Sequence, residues 1–252
     1  MSDFSRRKFI TRGLAAAAGL SGLVVADRVA ARYGLIPPDS GGIYGPGETL
    51  TYGVQRLLTR HSRAREFSRS QISARPFANE ISPPSAAFQR LQAGGFKGWT
   101  LSVDGLVAHP ISLSLDDVKR FPVHSQITEV VCEEGWSFVA EWIGTPLGAV
   151  LNAAGLLPRA RYVVYSSLDR DTWESIDMDD ALHPQTLLTY AMNGGDLPIP
   201  FGGPLRLRVP RQLGYKSVKF LARMTVTDSL KKVGKGLGSA AAEDGYAWYA
   251  GI

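Results

Sequence analysis

The chain has 252 residues, enough for one large domain or two small ones, with 44% hydrophobic and 20% charged residues and a net charge of +5. These proportions exclude a disordered or fibrous chain, and a single cysteine, Cys132, excludes an intrachain disulfide and a paired Cys-x-x-Cys zinc site. The charge distribution argues against a nucleic-acid surface: residues 1–26 carry +3, residues 56–75 carry +5, and the remainder carries −3.

Residues 1–31 read as a targeting segment. Ser5-Arg6-Arg7-Lys8-Phe9-Ile10 matches the twin-arginine export pattern S-R-R-x-F-L, and the apolar stretch Leu14 to Ala26 follows it. That stretch has 13 residues, short of the roughly 20 that span a bilayer. The expectation is a periplasmic protein delivered folded by the twin-arginine machinery. The signal is cleaved near Ala26 or Ala31, or retained as a membrane anchor.

Residues 32–95 read as an N-terminal arm and linker. Over residues 32–55, Pro37-Pro38, Gly41-Gly42 and Gly45-Pro46-Gly47 predict an extended linker or a wrapping arm. Residues 56–75 carry six arginines. They predict a partly helical, solvated basic face or, as a second reading, a surface for anionic lipid headgroups or an acidic partner.

Residues 96–228 read as the main domain and 229–252 as a tail. Trp99, Leu101 and Val103 alternate with polar residues before the Asp104-Gly105 turn, a hairpin signal. Ser114 with Asp117 resembles a capping box. The apolar run from Ile127 to Val131 leads to Cys132. Thr145-Pro146 starts a helix with the stripe Leu147, Val150, Leu151 and Ala154, closed by Gly155. Further strands are predicted at 161–166, 187–192, 205–209 and 218–226. Strands with mixed short helices and no βαβ repeat predict an α+β class. The tail reads as a flexible 231–238 followed by the aromatic end Tyr246, Trp248 and Tyr249.

A lone cysteine after an apolar strand is otherwise a small buried hydrophobe. Here its surroundings are specific. Cys132, Glu134, Gly135, Trp136, Ser137, Trp142, Ile143, Gly144, Pro146 and Leu147 resemble the C-x-E-[AG]-W-S … W-I-G-x-P-L segment of the sulfite oxidase family of molybdopterin enzymes, in the manner of its bacterial periplasmic methionine sulfoxide reductase branch. Gly202-Gly203-Pro204-Leu205-Arg206 and Gly214-Tyr215-Lys216-Ser217-Val218-Lys219 resemble two further motifs of that family. The resemblance implies a strand-rich, mixed molybdopterin-binding fold. It makes Cys132 the catalytic thiolate and molybdenum ligand.

The resemblance also implies a cradle for the pterin and its phosphate from Asn79, Ser167, Arg206, Gly214, Tyr215, Lys216 and Ser217. The residue types suit that task, because a dianionic phosphate fits a guanidinium fork and an ammonium. Two departures stand out. Glu133 replaces the family's more usual Val. Phe201 replaces a His or Asn and cannot hydrogen-bond a cofactor through its side chain. No arginine is directly beside Cys132 in sequence, which favours a neutral, sulfoxide-like substrate over sulfite. The chain has no haem or iron–sulfur motif, so its electrons come from a separate partner, by analogy a membrane b-type cytochrome. The alternatives are a sulfite dehydrogenase serving a soluble cytochrome and a non-catalytic binding module on the same fold.

Overall fold

A computed structural model of the protein describes Ala30 and residues 34–79, 85–168 and 172–252; the twin-arginine motif and the apolar stretch after it lie outside these residues. One mixed and one antiparallel sheet enclose the core. The first has the order β2-β1-β10-β5-β6, built from β1 (Thr100–Gly105), β2 (Ile111–Ser114), β5 (Tyr162–Ser167), β6 (Trp173–Asp177) and β10 (Leu221–Thr227). The second has the order β3-β4-β7-β8, from β3 (His124–Val131), β4 (Ser137–Pro146), β7 (Leu187–Met192) and β8 (Gly195–Asp196), with β9 (Arg206–Arg208) also paired to β7. Among the described residues only β1 and β10 run parallel, and every other pairing is antiparallel.

The core fills the space between the sheets. In β1, Leu101 and Val103 are fully buried and alternate with more exposed residues, as the period of two requires. The helix Leu147–Ala154 buries Leu147, Val150, Leu151 and Ala154 completely and stops at Gly155, whose φ of +75° is the left-handed cap. The Ser114 capping box is formed on the short helix Leu115–Lys119. The long hairpin β3–β4 pairs from His124↔Gly144 to Val131↔Ser137. Gly144 sits at a register shift, where a Cβ would come 2.2 Å from the Leu188 carbonyl oxygen. Only glycine lets β7 approach that closely.

Four expectations need correction. The glycine- and proline-rich arm is not extended throughout: Gly45–Thr59 forms the 15-residue helix α1, with proline in its first turn, where the missing N–H costs nothing. The arginine run is not simply a solvated face. Arg56 is buried and pairs with Asp177 at 2.5 Å and Asp180 at 2.8 Å, Arg60 pairs with Asp179, and Arg69 pairs with Glu141. The stretch after Lys231 is not a loose tail either. Val233 and Leu237 pack with Tyr52, Leu230, Ala242, Trp248 and Tyr249 in a separate apolar cluster. The last strand starts at Leu221 rather than Val218, because Phe220 adopts a φ of +55° that interrupts extended backbone.

Candidate functional site

Cys132 occupies the turn of the β3–β4 hairpin. Its N–H donates to the Trp136 carbonyl at 2.9 Å, and the Gly135 N–H donates back to the Cys132 carbonyl at 3.1 Å. Gly135 holds a φ of +89°, which makes this tight four-residue turn accessible. The turn lifts the thiol off the end of the strand into a cavity of about 350 Å³.

The cavity wall is assembled from distant parts of the chain. Asn79 arrives on the N-terminal arm, Ser167 at the end of β5, Arg206 on β9, and Gly214, Tyr215 and Ser217 on the turn before β10. A Cβ on Gly214 would meet the Val131 carbonyl oxygen at 3.3 Å and the Cys132 Cα at 3.7 Å. This glycine therefore sets how closely the turn can approach the thiol. The C-terminal segment closes the wall with Asp244 and Tyr246, whose ring packs 5.8 Å from that of Tyr215.

Seven of the eight residues expected at the site, Asn79, Cys132, Ser167, Arg206, Gly214, Tyr215 and Ser217, line one cavity. Lys216 does not. Its ammonium is fully buried behind the wall, donating to Glu174 at 2.7 Å, to the Ser175 carbonyl at 3.2 Å and to Ser239 at 3.4 Å. The single 3-10 turn Gly214–Lys216 turns this side chain inward, so Lys216 staples β6 to the C-terminal segment. The lysine at the cavity is Lys219, three residues on, which donates to the Asn79 carbonyl, to Asn79 Oδ1 at 3.2 Å and to the Pro200 carbonyl at 2.9 Å. Arg206 and Lys216 therefore do not converge on one anion, whereas Arg206 and Lys219 share the cavity.

The sequence reading also passed over Arg208. Residues 206 and 208 are two apart on β9 and present the same face, and both guanidinium carbons lie 5.5 Å from the Trp142 ring centre. Arg206 donates to the carbonyls of Ser217 at 2.9 Å and Phe201 at 3.2 Å. Arg208 donates to Ser217 Oγ at 3.3 Å and to the Glu129 carbonyl, and its Nε has no partner. Among the described residues no carboxylate pairs with either arginine. Burial pulls Arg206 down to about 10; it pulls Arg208 to about 9, with the charge of Arg206 as a second cause. Both remain cations at neutral pH. The alternation Leu205-Arg206-Leu207-Arg208-Val209 was the available signal. Phe201 contributes through its backbone, and its ring packs 5.6 Å from Phe138 in an aromatic layer beneath Trp136.

Around the thiol the charge is negative. Cys132 Sγ donates to Glu133 Oε2 at 3.3 Å and lies 3.7 Å from Glu134 Oε2. Burial, followed by the side chains of Glu133 and Glu134 and opposed by the Glu134 backbone N–H, pushes the thiol up to about 12. A thiol so placed stays protonated at neutral pH and becomes a thiolate when a metal replaces the proton. Glu134 also accepts from Trp136 Nε1 at 2.7 Å and from Asn79 Nδ2 at 3.4 Å, which ties the arm to the hairpin tip.

The donor set defines a class. One soft sulfur ligand faces a cavity backed by two desolvated guanidiniums that have no counter-ion. This suits an anionic, sulfur-bearing metal cofactor, whose polar and phosphate groups would meet Arg206 on the cavity wall, with the charge of Arg208 buried behind it. Comparison with known proteins agrees: the sequence profile of the oxidoreductase molybdopterin binding domain matches residues 90–233, and the chain belongs to that family. It is a molybdopterin-binding oxidoreductase whose cofactor is molybdopterin carrying molybdenum.

One relative, named "Putative protein-methionine-sulfoxide reductase subunit YedZ1", from Azospira oryzae, is 36% identical over 177 residues, covering 70% of this chain and 64% of its own length. A solved structure, the sulfane dehydrogenase SoxCD from Paracoccus pantotrophus, superposes with a TM-score of 0.52 at 21% identity. That match covers 68% of this chain and 46% of the other, and at this identity it speaks for the sulfite oxidase fold alone.

Proposed function

We propose that this chain is a periplasmic reductase that removes the oxygen of a neutral, sulfoxide-like small molecule, with electrons supplied by a membrane b-type cytochrome. The observation that carries the substrate class is Glu133. Its carboxylate stands 3.3 Å from the Cys132 sulfur and lines the cavity. A like charge there opposes sulfite, which arrives as an anion, and leaves a neutral sulfoxide unaffected. The name of the Azospira relative points the same way.

When bound, the molybdenum cofactor supplies two-electron redox chemistry at a single metal. The chain does the rest. Cys132 provides the protein's sulfur ligand. Arg206 would hold the anionic pterin with the charge of Arg208 behind it, and Lys219, bonded to Asn79, would clamp the arm over it. Trp136 gives the apolar wall for the substrate's alkyl groups. The overall change is R₂S=O + 2 e⁻ + 2 H⁺ → R₂S + H₂O.

Arg206 favours the second reading, sulfite oxidation. The sequence argument against an oxyanion rested on finding no arginine beside Cys132, and folding brings Arg206 into the same cavity. Turnover of metal-loaded protein separates the two. With a reduced dye as donor, dialkyl sulfoxides should be reduced, and with an oxidised dye sulfite should be turned over poorly; Glu133→Gln should narrow the gap. Rapid sulfite oxidation with no sulfoxide reduction would overturn the proposal. The location rests on Ser5 to Ile10 in the sequence. Replacing Arg6 and Arg7 together by Lys should hold loaded protein in the cytoplasm, and normal export of that variant would rule out the twin-arginine route.

A further inference from the structure

Helix α1 is inside-out. A surface helix of a globular protein turns its apolar stripe inward and its polar face to water. In α1 the buried positions are Gly45, Tyr52 and Arg56, with Glu48, Gln55 and Thr59 partly buried beside them. Outward face Leu50, Val54, Leu57 and Leu58, with exposures of 70%, 46%, 71% and 77%, preceded by Ile43 at 94% and Tyr44 at 67%. At about 100° per residue the four helical positions fall within an arc of roughly 100°. No charged residue is exposed from Ile43 to Leu58. The inward polarity is built in: Arg56 spans Asp177 and Asp180 and lies 4.4 Å from the Tyr249 ring centre. An apolar stripe of this size, left outward while a cation is buried behind it, marks an interaction surface.

We propose that this outward face of α1 seats on the surface of an anionic lipid bilayer, with the helix lying in the interface. The helix is flanked as interfacial helices are. Tyr44, suited to the headgroup level, precedes it. Exposed Arg60, His61, Arg63 and Arg65 follow it. Arg60 and Arg63 do pair with Asp179 and Glu66, but those pairs are 56% and 52% exposed on the arginine side, and such surface pairs are weak enough for lipid phosphates to compete with them.

The chain before the helix fits the same occupant. Residues 1–29, which precede it in the sequence, carry Arg6, Arg7, Lys8 and Arg12 and the apolar stretch Leu14 to Ala26. A second copy is a poorer occupant. A 15-residue helix has a footprint of roughly 22 Å by 10 Å, well short of the ~800 Å² per partner of a standard interface. The docking has a mechanical consequence. Tyr52 packs on Trp248 and Tyr249 at 5.7 and 5.4 Å between ring centres, and the segment just before those residues forms the cavity wall at Asp244 and Tyr246. A helix held at the bilayer therefore holds the cavity in a fixed orientation to the membrane.

The test uses the full chain carrying Tyr44→Trp and vesicles of phosphatidylcholine with a quarter of phosphatidylglycerol. The emission of the added tryptophan, taken as the difference from the parent chain, should move to the blue on vesicles and be quenched by lipids brominated in the upper acyl chain. Adding Leu50→Ser, Leu57→Ser and Leu58→Ser should abolish both changes and weaken vesicle flotation at least tenfold. Dye-coupled oxidoreductase activity should stay unchanged, since none of these residues touches the cavity. A tryptophan at 44 that stays in water on vesicle-bound protein would overturn the proposal and assign binding to the stretch 14–26 alone. A lipid-free dimer that the three serines split into monomers would overturn it in favour of a self-interface.

Discussion

Two groups of buried arginines lie among the described residues, and their surroundings differ in one respect. Under α1, Arg56 and Arg211 share Asp180, Asp177 adds a second carboxylate to Arg56, and Gln212 donates to Asp180 at 2.5 Å. Beside the cavity, Arg206 and Arg208 have carbonyls, a hydroxyl and the Trp142 ring, but no acid. The first group is a finished ion network that clamps the arm to the domain. The second is half of one, with its negative half left to a ligand. Desolvating a guanidinium costs several kcal/mol unless a charge answers it, so an uncompensated pair is kept where binding an anion offsets that cost. Burial alone does not distinguish structural from functional arginines; the missing carboxylate does.

The contrast is tested most severely by removing the acid from the finished network. Asp180→Ala strands Arg56 and Arg211 in the interior, and breaking a buried pair in this way costs about 3–5 kcal/mol. Denaturant titration should show that loss equally in cofactor-free and cofactor-loaded protein. A loss confined to the loaded form would mean that the network belongs to the site.

The cavity pair should respond with the opposite sign. Arg206→Met and Arg208→Met remove desolvated charges that nothing answers, so the cofactor-free protein should be as stable as the parent or more so. Each charge-assisted bond lost is worth roughly 1.5–3 kcal/mol, so pterin retention should fall by about one to two powers of ten. Lys219→Met should also shed pterin. Lys216→Met should instead lower stability, by leaving Glu174 unpaired, with less effect on pterin loading. Pterin and molybdenum per polypeptide, measured beside thermal unfolding, distinguish these outcomes. Equal pterin loss from both lysine variants would show that the turn positions the cradle as a unit.

The smallest expected effect concerns His183, at the edge of the finished network. Burial, then the charge of Arg211, holds it down at about 4, against 6.5 for the free side chain. As pH falls below 6.5 the unfolded chain takes the proton first. Stability should therefore drop between pH 6.5 and 4, and this contribution should level off below 4. His183→Gln should flatten that part of the curve of unfolding temperature against pH. An unchanged slope would place the acid sensitivity elsewhere.

What the sequence disclosed follows from the same physics. Cys132, Gly135 and Gly214 were legible because a turn and a close backbone approach demand those residue types at fixed spacing. Arg206 was legible through its motif. Lys216 was misplaced because one 3-10 turn decides which of two nearby lysines faces inward, and no periodicity reports that. Arg208 went unnoticed because an alternating strand reads as one buried and one solvated face, whereas here both faces of β9 are buried. Helix α1 was hidden because its stripe points outward and because glycine and proline at its start read as linker. Asn79 and Ser167 join the cavity from distant parts of the chain; only a family motif or the folded backbone could show them together.

The central claim is that Cys132 supplies the protein's ligand to molybdenum in the cavity backed by Arg206 and Arg208. X-ray absorption at the molybdenum edge tests it most directly. The parent protein should show three sulfur neighbours, two from the pterin dithiolene and one from Cys132, and Cys132→Ser should show two, with pterin still bound. An unchanged sulfur count in the serine variant would contradict the claim.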